Sequence, residues 1–411
     1  MPSSNFTFIH LADCHLGSWR DDKLRNVGFE SFAYVIEQAI ARRVDFVLIA
    51  GDLFNTALPA IEILKDTVTK LQELKAAGIP AYIIAGSHDY SPTGKTMLDV
   101  LEEAQLVVNT LVGDMVNEEL KLSFVVDKKT GVKLCGILGR AQGLEKQHYQ
   151  LLSRTNLEEE NGFKIFMFHT TIAELKPIEM ADAVATELSY LPRGFDYYAG
   201  GHVHMRAIRD VEHYGRIVYP GPTFPNNFAE IEKLHNGSFV FNKFNSTSGK
   251  LESTQELIKL HPHIGIVVDV SGHSAESATA EILEETRKIV PNCIVTLRIT
   301  GKLTSGAPNE IDFEKILSEF ISAGAFSVLR NTAALEGVEL SASVSDVSDL
   351  PNLEEKIIRE HIGQVPSPFA DEVAATKELM QLLSISKAEG ETSKDFEHRL
   401  IENSRQFFGW K

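Results

Sequence analysis

Cysteine is scarce: the 411 residues contain three, Cys14, Cys135 and Cys293, far apart and without a Cys-x-x-Cys pair. Neither a disulfide framework nor a thiolate zinc site is suggested, and a reducing compartment fits best. Long apolar runs are missing too. No window approaches the roughly 18 to 20 continuous apolar residues of a membrane span, and the stretch from Met1 to Asp13 lacks a basic segment followed by an apolar one. The expectation is a soluble, cytoplasmic protein without a signal peptide. Positive charge is in short supply: Lys and Arg number 40 against 57 Asp and Glu, a net charge of -17. Bulk electrostatics will not hold a polyanion on such a chain, so any nucleic-acid contact must rest on local patches and bound metal.

Apolar residues, by contrast, make up 43% of a chain longer than one core usually supports, so two or three domains are expected. Residues 5 to 261 alternate short apolar runs with amphipathic helices, the pattern of a layered α/β domain. Candidate strands are Phe6–Leu11, Phe46–Ile49, Ala81–Ile84, Lys133–Leu138, Lys164–Phe168 and Tyr197–Ala199. Glu30–Arg42, Ile61–Ala77 and Thr96–Glu103 are candidate helices. Runs without alternation imply strands covered on both faces. Beyond His261 a strand, helix, strand, helix, strand order restarts, enough for a small α/β domain at 262–334. Residues 335–369, rich in Ser, Asp, Pro and Gly with one short helix near Leu353–His361, read as a linker. The tail, 370–411, carries two helical patterns, Glu372–Leu383 and Ser393–Phe408.

Five of these strands end in a potential metal ligand. The first runs into Asp13-Cys14-His15, the second into Gly51-Asp52, and the third into Gly86-Ser87-His88-Asp89. The fifth ends on His169, and the sixth in Gly200-Gly201-His202-Val203-His204. Each fragment alone reads as an ordinary turn or a satisfied core histidine. Together they fall on one edge of a predicted sheet, where α/β proteins collect their ligands. Carboxylates and imidazoles without thiolate favour manganese, iron or zinc. So many donors suit two ions with Asp52 as the bridge, and two ions suit in-line displacement at a phosphodiester. His88 stands apart as a candidate proton donor to the leaving oxygen, or stabiliser of its charge, with Asp89 orienting its other ring nitrogen.

The ordered set Asp-x-His, Gly-Asp, Gly-x-His-Asp, strand-end His and Gly-His-x-His resembles that of calcineurin-like metallophosphoesterases. Phe8-Ile9-His10-Leu11-Ala12-Asp13-Cys14-His15-Leu16-Gly17 and Asp45-Phe46-Val47-Leu48-Ile49-Ala50-Gly51-Asp52-Leu53-Phe54 are similar to the SbcD or meiotic-recombination-eleven branch, the nuclease subunit that processes DNA double-strand breaks. The resemblance implies a layered sandwich of two central β-sheets flanked by helices, a small α/β capping domain and a helical tail. It implies that Asp13, His15, Asp52 and His204 hold one manganese ion. Asp52, His169, His202 and position 87 would hold a second, and His88 would assist at the scissile phosphate. The implied activities are single-strand endonuclease and 3′ to 5′ exonuclease. This chain departs from the family twice: Ser87 stands where Asn is usual, and Asn55 where many members have a His that places the phosphate.

The resemblance gives the remaining segments a use. Residues 262–334 would hold single-stranded DNA or duplex ends over the metals. Phe396, Leu400, Ile401, Phe407 and Phe408 of the tail would dock on the coiled-coil base of an SMC-like ABC ATPase. The region of Ile61–Ala77 and Thr96–Glu103, exposing Met97, Leu98 and Leu101, would form a homodimer. A nucleoid-associated location follows. Arg20, Lys23, Arg25, Arg206, Arg209 and Arg216 are candidates for a basic rim. Two other readings stay open: the same site acting on another phosphodiester such as a cyclic nucleotide, and an architectural DNA-end-tethering subunit whose catalysis is weakened at Ser87 and Asn55.

Overall fold

An apolar run such as Phe46–Ala50, buried at every position, needs cover on both faces. Side chains alternate across a strand. In the computed structural model, which describes residues 4–91, 96–140, 145–176, 184–337, 369, 371–388 and 393–408, Phe46 and Leu48 face a second sheet while Val47 and Ile49 face helices. The chain forms two units, residues 1–338 and 339–411.

The strands of the first unit are β1 (Phe6–Leu11), β2 (Phe46–Ala50), β3 (Ala81–Ile84), β4 (Val108–Asn109), β5 (Gly113–Val116), β6 (Glu119–Leu122), β7 (Val125–Val126), β8 (Lys133–Ile137), β9 (Lys164–His169), β10 (Tyr197–Gly201), β11 (Arg206–Val211), β12 (Gly215–Pro220), β13 (Gly237–Asn245), β14 (Lys250–Ile258), β15 (His263–Asp269), β16 (Ile294–Lys302) and β17 (Ser327–Glu336). Its helices are α1 (Asp22–Arg42), α2 (Ile61–Ala76), α3 (Met97–Glu103), α4 (Lys146–Leu151), α5 (Thr155–Glu158), α6 (Phe228–Leu234), α7 (Ala275–Glu284) and α8 (Phe313–Ser322).

Two six-stranded sheets, ordered β14-β13-β1-β2-β3-β4 and β11-β12-β10-β9-β8-β7, enclose a shared core in which Phe8, Phe46 and Tyr82 meet Phe163, Met167 and Tyr197. The fold is therefore the expected layered α/β sandwich with helices outside. One expectation is corrected: the five ligand-bearing strand ends do not share one sheet. β1, β2 and β3 belong to the first, β9 and β10 to the second, and face-to-face packing brings their carboxyl ends to one edge.

Helix α1 begins at Asp22, earlier than its apolar periodicity suggests, because the Asp21 side chain accepts the Leu24 amide at 2.9 Å and caps the helix. Lys23 and Arg25 consequently lie on a first helical turn. A parallel three-stranded sheet, β15-β16-β17, carries α7 and α8 on its own core of Ile266, Val268, Leu297, Ile316 and Phe320. It meets the sandwich through a small apolar cluster of Leu24, Val27, Phe224, Ile231 and Ile294. Leu335 and Glu336 continue β17 instead of starting a linker. The rest of that linker to residue 368, with the expected helix at Leu353–His361, lies outside the described residues.

Helix α3 corrects a second expectation: Leu98 and Leu101 are buried in the core and Met97 packs against it, so none of the three forms an exposed dimer face. The exposed apolar side chains nearby are Leu58, Ile61 and Val100. In the second unit, helices Glu372–Leu383 and Ser393–Phe408 stand as expected. Phe407 gathers with Phe408 and Phe369, Phe396 lies beneath Arg399, Leu400 is half-buried, and Ile401 is exposed. Among the described residues no helix is long and apolar enough to cross a membrane.

Candidate metal centre

Backbone strain marks the site before any ligand is considered. Asp13, His15, Asp52, His202 and His204 have φ of 53°, 43°, 52°, 92° and 49°, a region that non-glycine residues rarely adopt, at a cost of about 1 kcal/mol or more each. Hydrogen bonds hold them there: Asp13 N donates to Gly51 O at 3.1 Å, His15 N to Asp52 O at 3.0 Å, and His202 N to Asp13 Oδ1 at 2.8 Å. The glycines of the motifs permit the approach. A Cβ on Gly51 (φ 87°) would sit 2.2 Å from His169 Nδ1, and one on Gly201 would sit 2.2 Å from Ala50 O.

Among the described residues, three groups of side chains have ligand atoms mutually within 4.8 Å: Asp13, His15 and His204; Asp52, His169 and His202; and His15, Asp52 and His88. The first two each draw on both sheets. His15 Nε2 lies 2.9 Å from His204 Nε2 and 3.6 Å from Asp52 Oδ2. His169 Nδ1 bonds to Ala50 O at 2.8 Å, which turns Nε2 toward the carboxylates. That Nε2 is buried without a hydrogen bond, 3.1 Å from Asp52 Oδ2 yet out of line with it. A buried ring nitrogen aimed at two carboxylates, beside imidazoles converging nitrogen to nitrogen, fits a pair of divalent ions.

The electrostatics agree. Burial pushes His15 down to about 3 and His202 to about 4, so both rings stay neutral with a lone pair to give. Burial opposes charge on His169 as well, but Asp52 and then Asp13 raise it to about 10. Asp52 in turn is held well below the usual carboxylate range by His169 and His15, against the effect of burial. For His169 to ligate, that proton must leave, so metal uptake at this group releases a proton.

Ser87 Oγ lies 3.4 Å from Asp52 Oδ2 as its donor. His88 N donates to Asp52 Oδ1 at 2.8 Å, and His88 Nδ1 is 2.9 Å from the backbone oxygen of Asn55. This corrects the role expected of Asp89. Its buried carboxylate accepts the amides of Leu53, Phe54 and Gly86 at 3.0–3.2 Å, shaping the loop instead of orienting His88; the Asn55 carbonyl does the orienting. Cys14 is buried, as expected of a residue between ligands.

His15, Asp52, Ser87, His88, His202 and His204 line a cleft of about 970 Å³ whose far wall includes Lys176, Arg206, Arg209 and Lys233. The expected basic rim is largely committed elsewhere. Lys23 Nζ donates to Phe326 O at 2.9 Å, Arg25 pairs with Asp22, and Arg216 pairs with Asp210. Arg206 is anchored to Ser238 Oγ at 2.9 Å and Leu234 O at 3.2 Å, although it still borders the cleft. Arg20 is exposed.

Glu230 is absent from the sequence-derived site. Its Oε1 accepts from His204 Nδ1 at 3.0 Å, fixing that ring's orientation. Burial works against charge on Glu230, but His204 keeps its carboxyl below the ordinary value. The available signal was Asn227-x-x-Glu230, a helix-capping pattern, though capping alone says nothing of metal.

Residues 6–206 match the sequence profile of the calcineurin-like phosphoesterases. This stretch is a calcineurin-like phosphoesterase domain. Members of that family hold two metal ions, and this structure has candidate metal-ligand groups. The chain is similar to the DNA double-strand break repair protein Mre11 of three archaea. Identity is 28% to that of Methanococcus maripaludis, over 55% of this chain and 59% of the relative. It is 31% to that of Sulfurisphaera tokodaii, over 52% and 53%, and 28% to that of Methanopyrus kandleri, over 74% and 66%. The matched region thus spans between half and two-thirds of the relatives' lengths. Glu230 lies beyond the matched phosphoesterase stretch.

Proposed function

We propose that this phosphoesterase is a manganese-dependent DNA nuclease of double-strand-break repair, cutting single strands internally and duplex ends from 3′ to 5′. The observation that carries the reading is the pair of two-sheet ligand groups, Asp13/His15/His204 and Asp52/His169/His202, of which His15, Asp52, His202 and His204 line an open cleft that also includes Arg206 and Arg209. The similarity to Mre11 proteins supports DNA as the phosphodiester.

Asp13, His15, Asp52 and His204 would hold one ion, and Asp52, Ser87, His169 and His202 the other. Two such ions supply an acidified water and positive charge at the attacking and leaving oxygens. The protein's own part is positioning and proton handling. Asp52 is fixed by the His88 amide. With Nδ1–H on the Asn55 carbonyl, the His88 ring in its imidazolium form would present Nε2–H as the proton donor to the departing oxygen. In the same reading the three-stranded unit, residues 262–336, covers DNA, and residues 337–369 link it to the tail. The tail, 370–411, docks an SMC-like ATPase through Phe396, Leu400, Ile401, Phe407 and Phe408, and the chain pairs as a homodimer beside the nucleoid. One observation favours weaker catalysis: the Ser87 hydroxyl already leans on Asp52.

The test is cleavage of labelled single-stranded, duplex and hairpin DNA with manganese, with a cyclic nucleotide alongside. Asp52→Ala should lower the rate by on the order of 10³-fold, about 4 kcal/mol of barrier, and His88→Ala by roughly 10²- to 10⁴-fold. DNA cleavage that survives both substitutions refutes the mechanism; hydrolysis of the cyclic nucleotide alone refutes the substrate.

A further inference from the structure

Helix α6 touches two parts of the molecule, the ligand cluster around His204 and the three-stranded sheet. At its first turn, Glu230 Oε1 accepts from His204 Nδ1 at 3.0 Å and from Asn227 Nδ2 at 2.7 Å, while Oε2 accepts the Asn226 amide at 2.8 Å. A carboxylate held by three donors has little freedom, and the ring it holds inherits that rigidity. His204 Nδ1 is thereby committed, which leaves Nε2 facing His15 Nε2 at 2.9 Å.

The same short helix is fastened to the three-stranded sheet. Glu232 takes the Arg298 guanidinium of β16 at 2.6 Å, and Arg298 lies over the ring of Phe228, 5.2 Å from its centroid. His235, just past the helix end, places Nδ1 2.7 Å from His263 Nδ1 of β15. Between them Ile231 is buried against Ile294 of β16. Seven residues rise only about 10 Å at 1.5 Å each, too short a helix to absorb a displacement by bending.

We propose that α6 couples the position of the three-stranded sheet to the metal centre, with Glu230 as the positioning residue for His204. The inference rests on reading His204 as a metal ligand. A load on the sheet is carried by Arg298, His263 and Ile294 into α6, and by Glu230 into the orientation of one imidazole. By reciprocity, an ion held by His204 stiffens the sheet's attachment.

Manganese titration calorimetry on the full chain tests this. Glu230→Ala should weaken one of two ions by roughly 10- to 100-fold. Glu230→Gln, which keeps an oxygen acceptor and suits the same capping position, should restore most of that affinity. The pair Arg298→Met and His263→Phe, neither of which is placed among the ligands, should weaken the same ion by roughly 2- to 30-fold and add nothing once Glu230→Ala is present. The inference is overturned if the sheet variants leave manganese affinity unchanged, if their losses add in full to that of Glu230→Ala, or if both ions weaken alike as in general loosening. DNA cleavage is scored separately: absent cleavage with intact coupling defeats the nuclease reading alone, and cleavage without coupling defeats this inference alone.

Discussion

The two six-stranded sheets reach the metal centre with different chemistry. The first delivers both carboxylates, Asp13 and Asp52, together with His15, Ser87 and His88; the second delivers only imidazoles, His169, His202 and His204. Their construction is otherwise parallel. Each has a run of parallel strands, each buries alternate side chains in the shared core, and each starts a strand from an aspartate that holds its neighbour: Asp45 Oδ2 accepts the Thr7 amide, and Asp196 Oδ2 the Lys164 amide, both at 2.8 Å. The difference teaches that neither sheet alone completes a two-ion site. The carboxylates come from one side and three of the imidazoles from the other, so a bound pair of ions would act as a clamp across the sandwich.

The largest expected effect follows from that clamp. Saturating manganese, at about one hundred times its dissociation constant, should stabilise the first unit by about 2.7 kcal/mol per ion, seen as a rise in the urea midpoint that a chelator reverses. His169→Ala with His202→Ala should abolish one ion's share and leave the other. If the midpoint does not move although calorimetry registers binding, the unfolded chain binds manganese as well as the folded one and no folded clamp holds the ions.

A smaller effect sharpens the comparison at Ser87. The group Asp52, His169 and His202 leans on the second sheet for two of its three members. Ser87→Asn would add a carbonyl donor from the first and should tighten that ion by about tenfold, about 1.4 kcal/mol. Unchanged manganese stoichiometry and affinity would show that position 87 does not reach the ion.

Most of the site was legible because strand-end motifs are local. Asp13-Cys14-His15, Gly51-Asp52 and His202-Val203-His204 each carry their meaning within a few residues, and the glycines beside them betray the tight approach to His169. What escaped was relational. That β1 and β9 lie in different sheets follows from pairing partners, which an apolar run does not specify; the strands β11 and β14 went unread because their half-exposed alternation is weak. Asp89 stands beside His88 in sequence, yet its carboxylate turns to three amides of another loop. Glu230 stands 26 residues from His204 and meets it only because α6 folds back over the metal-binding edge. Arg206 and Lys23 read as candidates for a basic rim, but their partners arrive from far along the chain, Ser238 on β13 and the Phe326 carbonyl just before β17.

The smallest effect on the ions probes what the two sheets share. Asp45→Ala and Asp196→Ala should each destabilise the first unit by about 1.5 to 3 kcal/mol, the worth of a charge-assisted hydrogen bond to a strand amide. The double variant should cost the sum within about 0.5 kcal/mol, because the two pins hold different sheets. Neither change should alter manganese affinity, since Asp45 and Asp52 stand at opposite ends of β2, about 20 Å apart along an extended strand. Asp45 also pairs with Lys129 at 2.7 Å, but that lysine is largely exposed and adds little. If Asp196→Ala weakens the ions while Asp45→Ala does not, the second sheet is the softer half of the clamp. Its imidazoles would then depend on strand register in a way the carboxylates of the first sheet do not.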